Sequence, residues 1–253
     1  MDSIAEWTQL WGMSFNTDKC VIMTVTNKNT PILTDYILNN VVLSRVEVVK
    51  YLGVHIDNKL SFKHHIEQKI KSSTKILNLL RRNLHFAPRK VKEKAYFSCV
   101  RPIIEYASTC WTPSSEKLNH DIEMIQHNAA KFVCNQYPRK GHYEEFSVTA
   151  LLSDLKWTSL EERRERAKLN MAFKILNNDV ILPPNVLPKV VPSRTRTCNV
   201  PYVGEKHQLL EPSSRLLSAE RSFFYAVPKL WNRKVSPAQA SASNLEAFKQ
   251  FFT

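Results

Sequence analysis

The chain has 253 residues, 43% of them hydrophobic and 23% charged, enough apolar content to bury a core and too much for a disordered chain. Its formal net charge of +13 is concentrated: residues 59–101 hold twelve Lys and Arg against two Glu, a net +10, whereas residues 1–58 hold four against six acidic residues. Five scattered cysteines, an N-terminus "MDSIAEWTQLWGM" without a basic or apolar leader pattern, and no long uninterrupted apolar run together exclude a disulfide scaffold, a secreted chain and a membrane span, and predict an intracellular protein, nuclear or cytoplasmic.

Ser3 and Glu6 have capping-box spacing, and Ile4, Trp7, Leu10 and Trp11 share one helical face that ends at Gly12, which predicts a short amphipathic helix. "CVIMTVT" reads as a strand. "DYILNNVVLSRVEVVKYLGVHID" reads as two or three more, around a turn at Asn39-Asn40. Gly53, one of only four glycines, lies inside the last of these runs. A glycine within a strand marks a bulge or a close approach by a backbone or a ligand.

After Asn58 the period changes. Phe62, Ile66, Ile70, Ile76 or Leu77, and Leu80 recur at helical spacing with lysines between them, which predicts a long helix ending near "RRNLHFAP". Pro88 suits the first turn of a second helix, in which Pro102 should interrupt the hydrogen-bond ladder. Ser114 or Ser115 can cap a third helix, and "SVTALLSDLKWTSLEERRERAKLNMAFKILNN" predicts a short helix, a break near Trp157 and a longer helix. The run "ILPPNVLPKVVPSRTRTCNVPYVG" reads as an extended linker or wrap, "SFFYAVPKLWN" as a docking segment and residues 244–252 as a last helix. The fold class is therefore α+β, with strands in 1–58, helices in 59–178 and a proline-rich extension over 179–253.

Little in the sequence supports small-molecule or metal chemistry. His64, His65 and Glu67 lack the i, i+4 histidine spacing of a zinc helix, and His120, His127 and Cys134 stand two turns apart, about 10.5 Å, too far to share a metal. The five tryptophans, Trp7, Trp11, Trp111, Trp157 and Trp231, sit among aliphatic residues at helical spacing and read as core, with base stacking as the alternative. "EERRER" at 161–166 reads as a salt-bridged face of one helix, with phosphate contact as the alternative. The candidate phosphate contacts are Lys69, Arg81, Arg82, Lys90, Lys92 and Lys94, around the turn at His85-Phe86-Ala87. A solvated helical face and an acidic protein partner are the competing readings of the same charge.

Six blocks, "WTQLWGMSFNTDKC", "KYLGVHIDNKLSFKHHI", "RPIIEYASTCWTP", "IQHNAAKFV", "LKWTSLEERRERAKL" and "SFFYAVPKLWN", resemble in content and order the C-terminal half of reverse transcriptases of LINE-type, non-LTR retrotransposons, of the jockey-like or CR1-like kind. The resemblance implies a small antiparallel palm remnant in 1–58, in which Asn16 and Lys19 match the family's asparagine and lysine, and a thumb-like bundle in 59–178. It also implies a partner: the backbone of RNA, of an RNA–DNA hybrid or of a DNA duplex. On this resemblance Gly53 would let the palm backbone approach a primer strand; a plain bulge glycine is the other reading. The family's catalytic aspartates, which hold two Mg²⁺ ions, have no counterpart here. The adjacent acidic pairs Glu144-Glu145 and Glu161-Glu162 are not in strand context. No cofactor and no polymerase activity are therefore expected of this polypeptide alone. Strand edges left unpaired in the palm remnant would offer a protein partner a place to add.

Overall fold

A computed structural model describes residues 2–28, 30–137, 147–183 and 208–252. Most of the proline-rich run and the Glu144-Glu145 pair lie outside these residues. The architecture is α+β, and the chain divides into two units, Met1–His65 and Ile66–Thr253.

The first unit opens with α1 (Asp2–Leu10), followed by a 3-10 turn (Thr17–Lys19). The helix begins before Ser3, so that serine stands in the first turn and not at the cap. Trp7 and Trp11 are 54% and 65% exposed, which corrects their assignment to the core: their rings lean on each other at 6.4 Å while the face they share stays uncovered. Short strands follow: β1 (Val21–Ile22), β2 (Ile37–Leu38), β3 (Val41–Val42), β4 (Ser44–Arg45), β5 (Val48–Tyr51) and β6 (Val54–Asp57). β2 and β3 form a hairpin across Asn39 and Asn40, whose φ of 50° and 59° give the left-handed pair that such a turn requires. β1 pairs with β4 in parallel, which corrects the expectation of a purely antiparallel sheet. The connection between them contains the whole β2–β3 hairpin, so the chain returns running in the same direction.

The β5–β6 hairpin corrects the placement of Gly53. Tyr51 is paired with Val54, leaving Leu52 and Gly53 as a two-residue turn with φ of 45° and 79°. Positive φ at both central positions is the signature of the turn that matches strand twist, and it calls for glycine at the second. Gly53 thus ends a strand, where the sequence pattern had put it inside one. β6 leads to a strained corner in which Leu60 and Phe62 both have positive φ, 52° and 55°. The Asp57 carboxylate holds it, accepting from the backbone N–H of Lys59 (3.1 Å), Ser61 (3.0 Å) and Phe62 (2.7 Å) and from the Ser61 hydroxyl (3.0 Å).

The helices are α2 (Lys63–Asn83), α3 (Arg89–Ala95), α4 (Arg101–Glu105), α5 (Glu116–Cys134), α6 (Val148–Asp154), α7 (Leu160–Leu176), α8 (Leu217–Glu220), α9 (Phe223–Lys234), α10 (Pro237–Ala240) and α11 (Leu245–Gln250). Between α3 and α4 the backbone widens to a π turn over Tyr96–Val100, just before Pro102. A ring that cannot donate displaces the ladder, and Arg101 N–H bonds to Tyr96 O one residue further back than in an α-helix. Ser115 caps α5 by accepting from Leu118 N–H at 3.3 Å, and Asn135 closes it in the left-handed conformation, φ 53°.

α5 is the centre of the second unit and packs against α3, α6 and α7. Its face of Leu118, Ile122, Ile125, Ala129, Phe132 and Val133 is buried. Tyr96 stacks on Trp157 at 4.7 Å and donates to Gln126 Oε1 at 3.1 Å, while Gln126 Nε2 donates to Thr158 O at 2.9 Å. Burial pushes the Tyr96 phenol well above its ordinary range. A second core joins α7 to α9 and α11, where Phe173, Trp231 and Phe248 stack.

Candidate nucleic-acid interface

The predicted phosphate contacts separate by surroundings. Arg82, Lys90 and Lys94 are exposed, and none has a carboxylate partner among the described residues. Lys69 is half-buried, its ammonium 4.8 Å from the Tyr106 ring centroid. Arg81 is also half-buried and donates Nη2 to Asn128 O at 2.9 Å, tying α2 to α5. Lys92 has 0% exposure. Its Nζ donates to Asn135 Oδ1 at 2.6 Å and lies 5.2 Å from the Phe132 centroid. It stands at the C-terminal end of α5, where a cation complements the helix dipole. Lys92 is therefore a structural cation enclosed by protein, and its side chain does not contribute to the surface that the sequence assigned to it. Gly53 lies in the other unit.

α2 adds two residues that the sequence reading omitted. Lys71 and Lys75 are exposed, and at about 100° per residue they fall within about 40° of Arg82 on one face of α2. Lys90 and Lys94, four apart, make a similar pair on α3, opposite the buried Lys92. The signal was present in the spacing: residues 71, 75 and 82 share a stripe, whereas 69 and 81 flank the apolar side. Arg89, beside them, is engaged by Asp154 at 2.7 Å.

"EERRER" departs from the expected intrahelical face. Only Glu162 and Arg166 pair along the helix, at 2.8 Å. Arg163 makes a two-pronged contact with Glu105, and Glu165 holds Arg233 at 3.0 Å and Lys234. The Glu105 hydrogen bond raises the Arg163 pKa. These charges join helices to one another, and they add little to an open basic surface. Among the described residues no three His, Cys, Asp or Glu side chains converge as metal ligands, and no helix is long and apolar enough to cross a membrane.

No family model and no solved structure matches the chain. Curated proteins do. Over 194 residues, 74% of this chain, it is 24% identical to a "Probable RNA-directed DNA polymerase from transposon BS" of Drosophila melanogaster. It is also 31% identical over 131 residues to the "RNA-directed DNA polymerase from mobile element jockey" of Drosophila funebris, and 25% identical over 134 residues to the Drosophila melanogaster jockey protein, each match covering 50% of this chain. The matched stretches span 20%, 14% and 14% of those relatives. Its curated homologues are thus RNA-directed DNA polymerases of Drosophila mobile elements, of which it is similar to a short stretch.

Proposed function

We propose that this chain, a reverse-transcriptase relative by descent, binds the backbone of an RNA–DNA hybrid, an RNA or a DNA duplex through α2 and α3, and does not polymerise by itself. The observation that carries this reading is the set of exposed cations without carboxylate partners, Lys71, Lys75 and Arg82 along one face of α2 and Lys90 and Lys94 on α3. Long cationic side chains without carboxylate partners suit phosphate contact, which positions a duplex and does not read its sequence. Five such contacts give log K a slope of about −4 to −5 against log[salt]. Fluorescence anisotropy on an RNA–DNA hybrid and a matched DNA duplex, across a salt series, should show that slope. Changing the five cations to glutamine should flatten it to near zero without altering base preference. Equal affinity and slope in the variant would refute the assignment. Primer-extension assays with Mg²⁺ or Mn²⁺ should give no template-dependent incorporation, and incorporation above background would refute the second half of the proposal.

A second reading is favoured by the first unit, which exposes Ile32 (87%), Leu33 (60%), Val42 (58%) and Leu52 (74%) on and beside two-stranded sheets. Open strand edges carrying apolar side chains suit the addition of another polypeptide strand. A partner bound there would be insensitive to salt and to the five-cation variant.

A further inference from the structure

The groove lined by α5, α7, α8 and α9, with a volume of about 600 Å³, contains two buried cations whose direct hydrogen-bond partners are all neutral. Arg164 and Lys168 stand one turn apart on α7, 6% and 7% exposed, and both line the groove. Arg164 donates Nη2 to Asn119 Oδ1 and its guanidinium is 5.9 Å from the Trp111 centroid, while its buried Nη1 has no hydrogen-bond partner. Lys168 donates Nζ to Thr112 Oγ1 at 2.6 Å, and that hydroxyl donates to Arg221 O at 3.2 Å. Every acceptor these two cations touch is neutral. Glu161 and Glu165 also line the groove and favour the charged form of Arg164, but neither hydrogen-bonds to it: Glu161 accepts from Asn119 Nδ2 at 3.1 Å, and Glu165 holds Arg233 and Lys234.

Two like charges buried a turn apart, with an orphaned donor, are costly unless an anion meets them. We propose that this groove binds a nucleotide-sized phosphomonoester, with its phosphate anchored by Lys168 and Arg164. The volume exceeds that of a lone phosphate and falls within the usual range for small-molecule sites, about 300–1,000 Å³. Pro113, Leu217 and Leu230 supply apolar lining for a base or sugar. Arg221, Lys229 and Arg233 add positive charge, whereas Glu116, Glu161, Glu165 and Glu220 add negative charge and disfavour anions spread over the whole groove. The source of the phosphomonoester is a free nucleotide or the 5′-phosphate end of a polynucleotide.

Burial lowers the Lys168 pKa to about 8, and the neighbouring Arg164 charge adds to the effect. Burial also lowers that of Arg164. A bound phosphate should therefore raise the Lys168 pKa, and affinity should fall as pH rises from 7 to 9. The charged groups that share the groove with Lys168 are Glu161, Arg164 and Glu165 on its own helix, Glu116 on α5, Glu220 and Arg221 at α8, and Lys229 and Arg233 on α9.

Titration calorimetry of the full chain in phosphate-free buffer should show binding of 5′-AMP but not adenosine. Lys168→Met should weaken 5′-AMP by about tenfold or more, as loss of a charge-assisted hydrogen bond requires. The five-cation variant of α2 and α3 should bind 5′-AMP unchanged, which separates this site from the duplex surface. Stronger binding of a 5′-phosphorylated than of a 5′-hydroxyl oligonucleotide to that variant would identify a strand end as the source, and equal binding a free nucleotide. Should Lys168→Met fail to fold, NMR titration of Lys168 in the parent decides: an upward pKa shift on adding 5′-AMP supports the site. An unmoved Lys168 signal, or adenosine binding as well as 5′-AMP, overturns it.

Discussion

Lys90, Lys92 and Lys94 are chemically identical and two residues apart, yet two are exposed and one has 0% exposure. Helical geometry separates them, because a shift of two residues turns a side chain by about 200°. Lys92→Ala should lower stability by about 2–3 kcal/mol, since it removes packing, a charge-assisted hydrogen bond and a cation at a helix C-terminus. The salt slope of duplex binding should not change, and a flatter slope would show that Lys92 reaches phosphate after all. Gly53 makes the opposite point, for its rarity was legible and its reason was not. The pattern "KYLGVHI" gives no sign of where the strand ends; the Tyr51–Val54 pairing does. Gly53→Val should destabilise by about 1–3 kcal/mol, because a β-branched side chain resists positive φ. Leu52→Asn should stabilise slightly, because asparagine tolerates the left-handed region. Chemical denaturation of the two variants checks both signs.

Helix starts and stops were well marked in the sequence: Pro88, Ser115, the break near Trp157 and the interruption before Pro102 all fall where the backbone changes. What joins one helix to another was not marked. Glu123 on α5 accepts from the N–H groups of Leu160 at 3.1 Å and Glu161 at 2.7 Å, placing a carboxylate on the N-terminus of α7. Ser159 caps the same turn by accepting from Glu162 N–H at 3.1 Å. Glu123→Ala leaves two N–H groups without acceptors beside a positive helix end and should cost about 1–2 kcal/mol. Urea unfolding measures the loss, and hydrogen exchange should place it in the first turn of α7. The "EERRER" run failed as a single-helix prediction for the same reason: i, i+4 spacing permits pairing along a helix, but the bond forms with whichever oppositely charged group tertiary packing brings closer.

For the molecule as a whole, one buried cation sets a pH dependence. The Lys168 pKa falls from an ordinary 10.5 to about 8 on folding. Below about 8 both folded and unfolded chains carry the proton and the full burial penalty applies. Between about 8 and 10.5 the unfolded chain holds a proton that the folded chain does not, so stability rises with pH and the penalty is gone above that window. Urea unfolding at pH 7 and pH 10 should show a gain of about 2–3 kcal/mol relative to Lys168→Met, which lacks the titrating group. The sequence by itself determined the class, the order and type of the main elements, the basic segment and the kinship with mobile-element polymerases, because periodicity, capping residues and motif order are local properties of the chain. Tertiary structure alone decided which lysines face solvent, that Trp7 and Trp11 are exposed, that β1 and β4 run parallel, and that Arg164 and Lys168 share a groove. These depend on what lies across from a residue, and a partner that is distant along the chain leaves no mark in the local pattern.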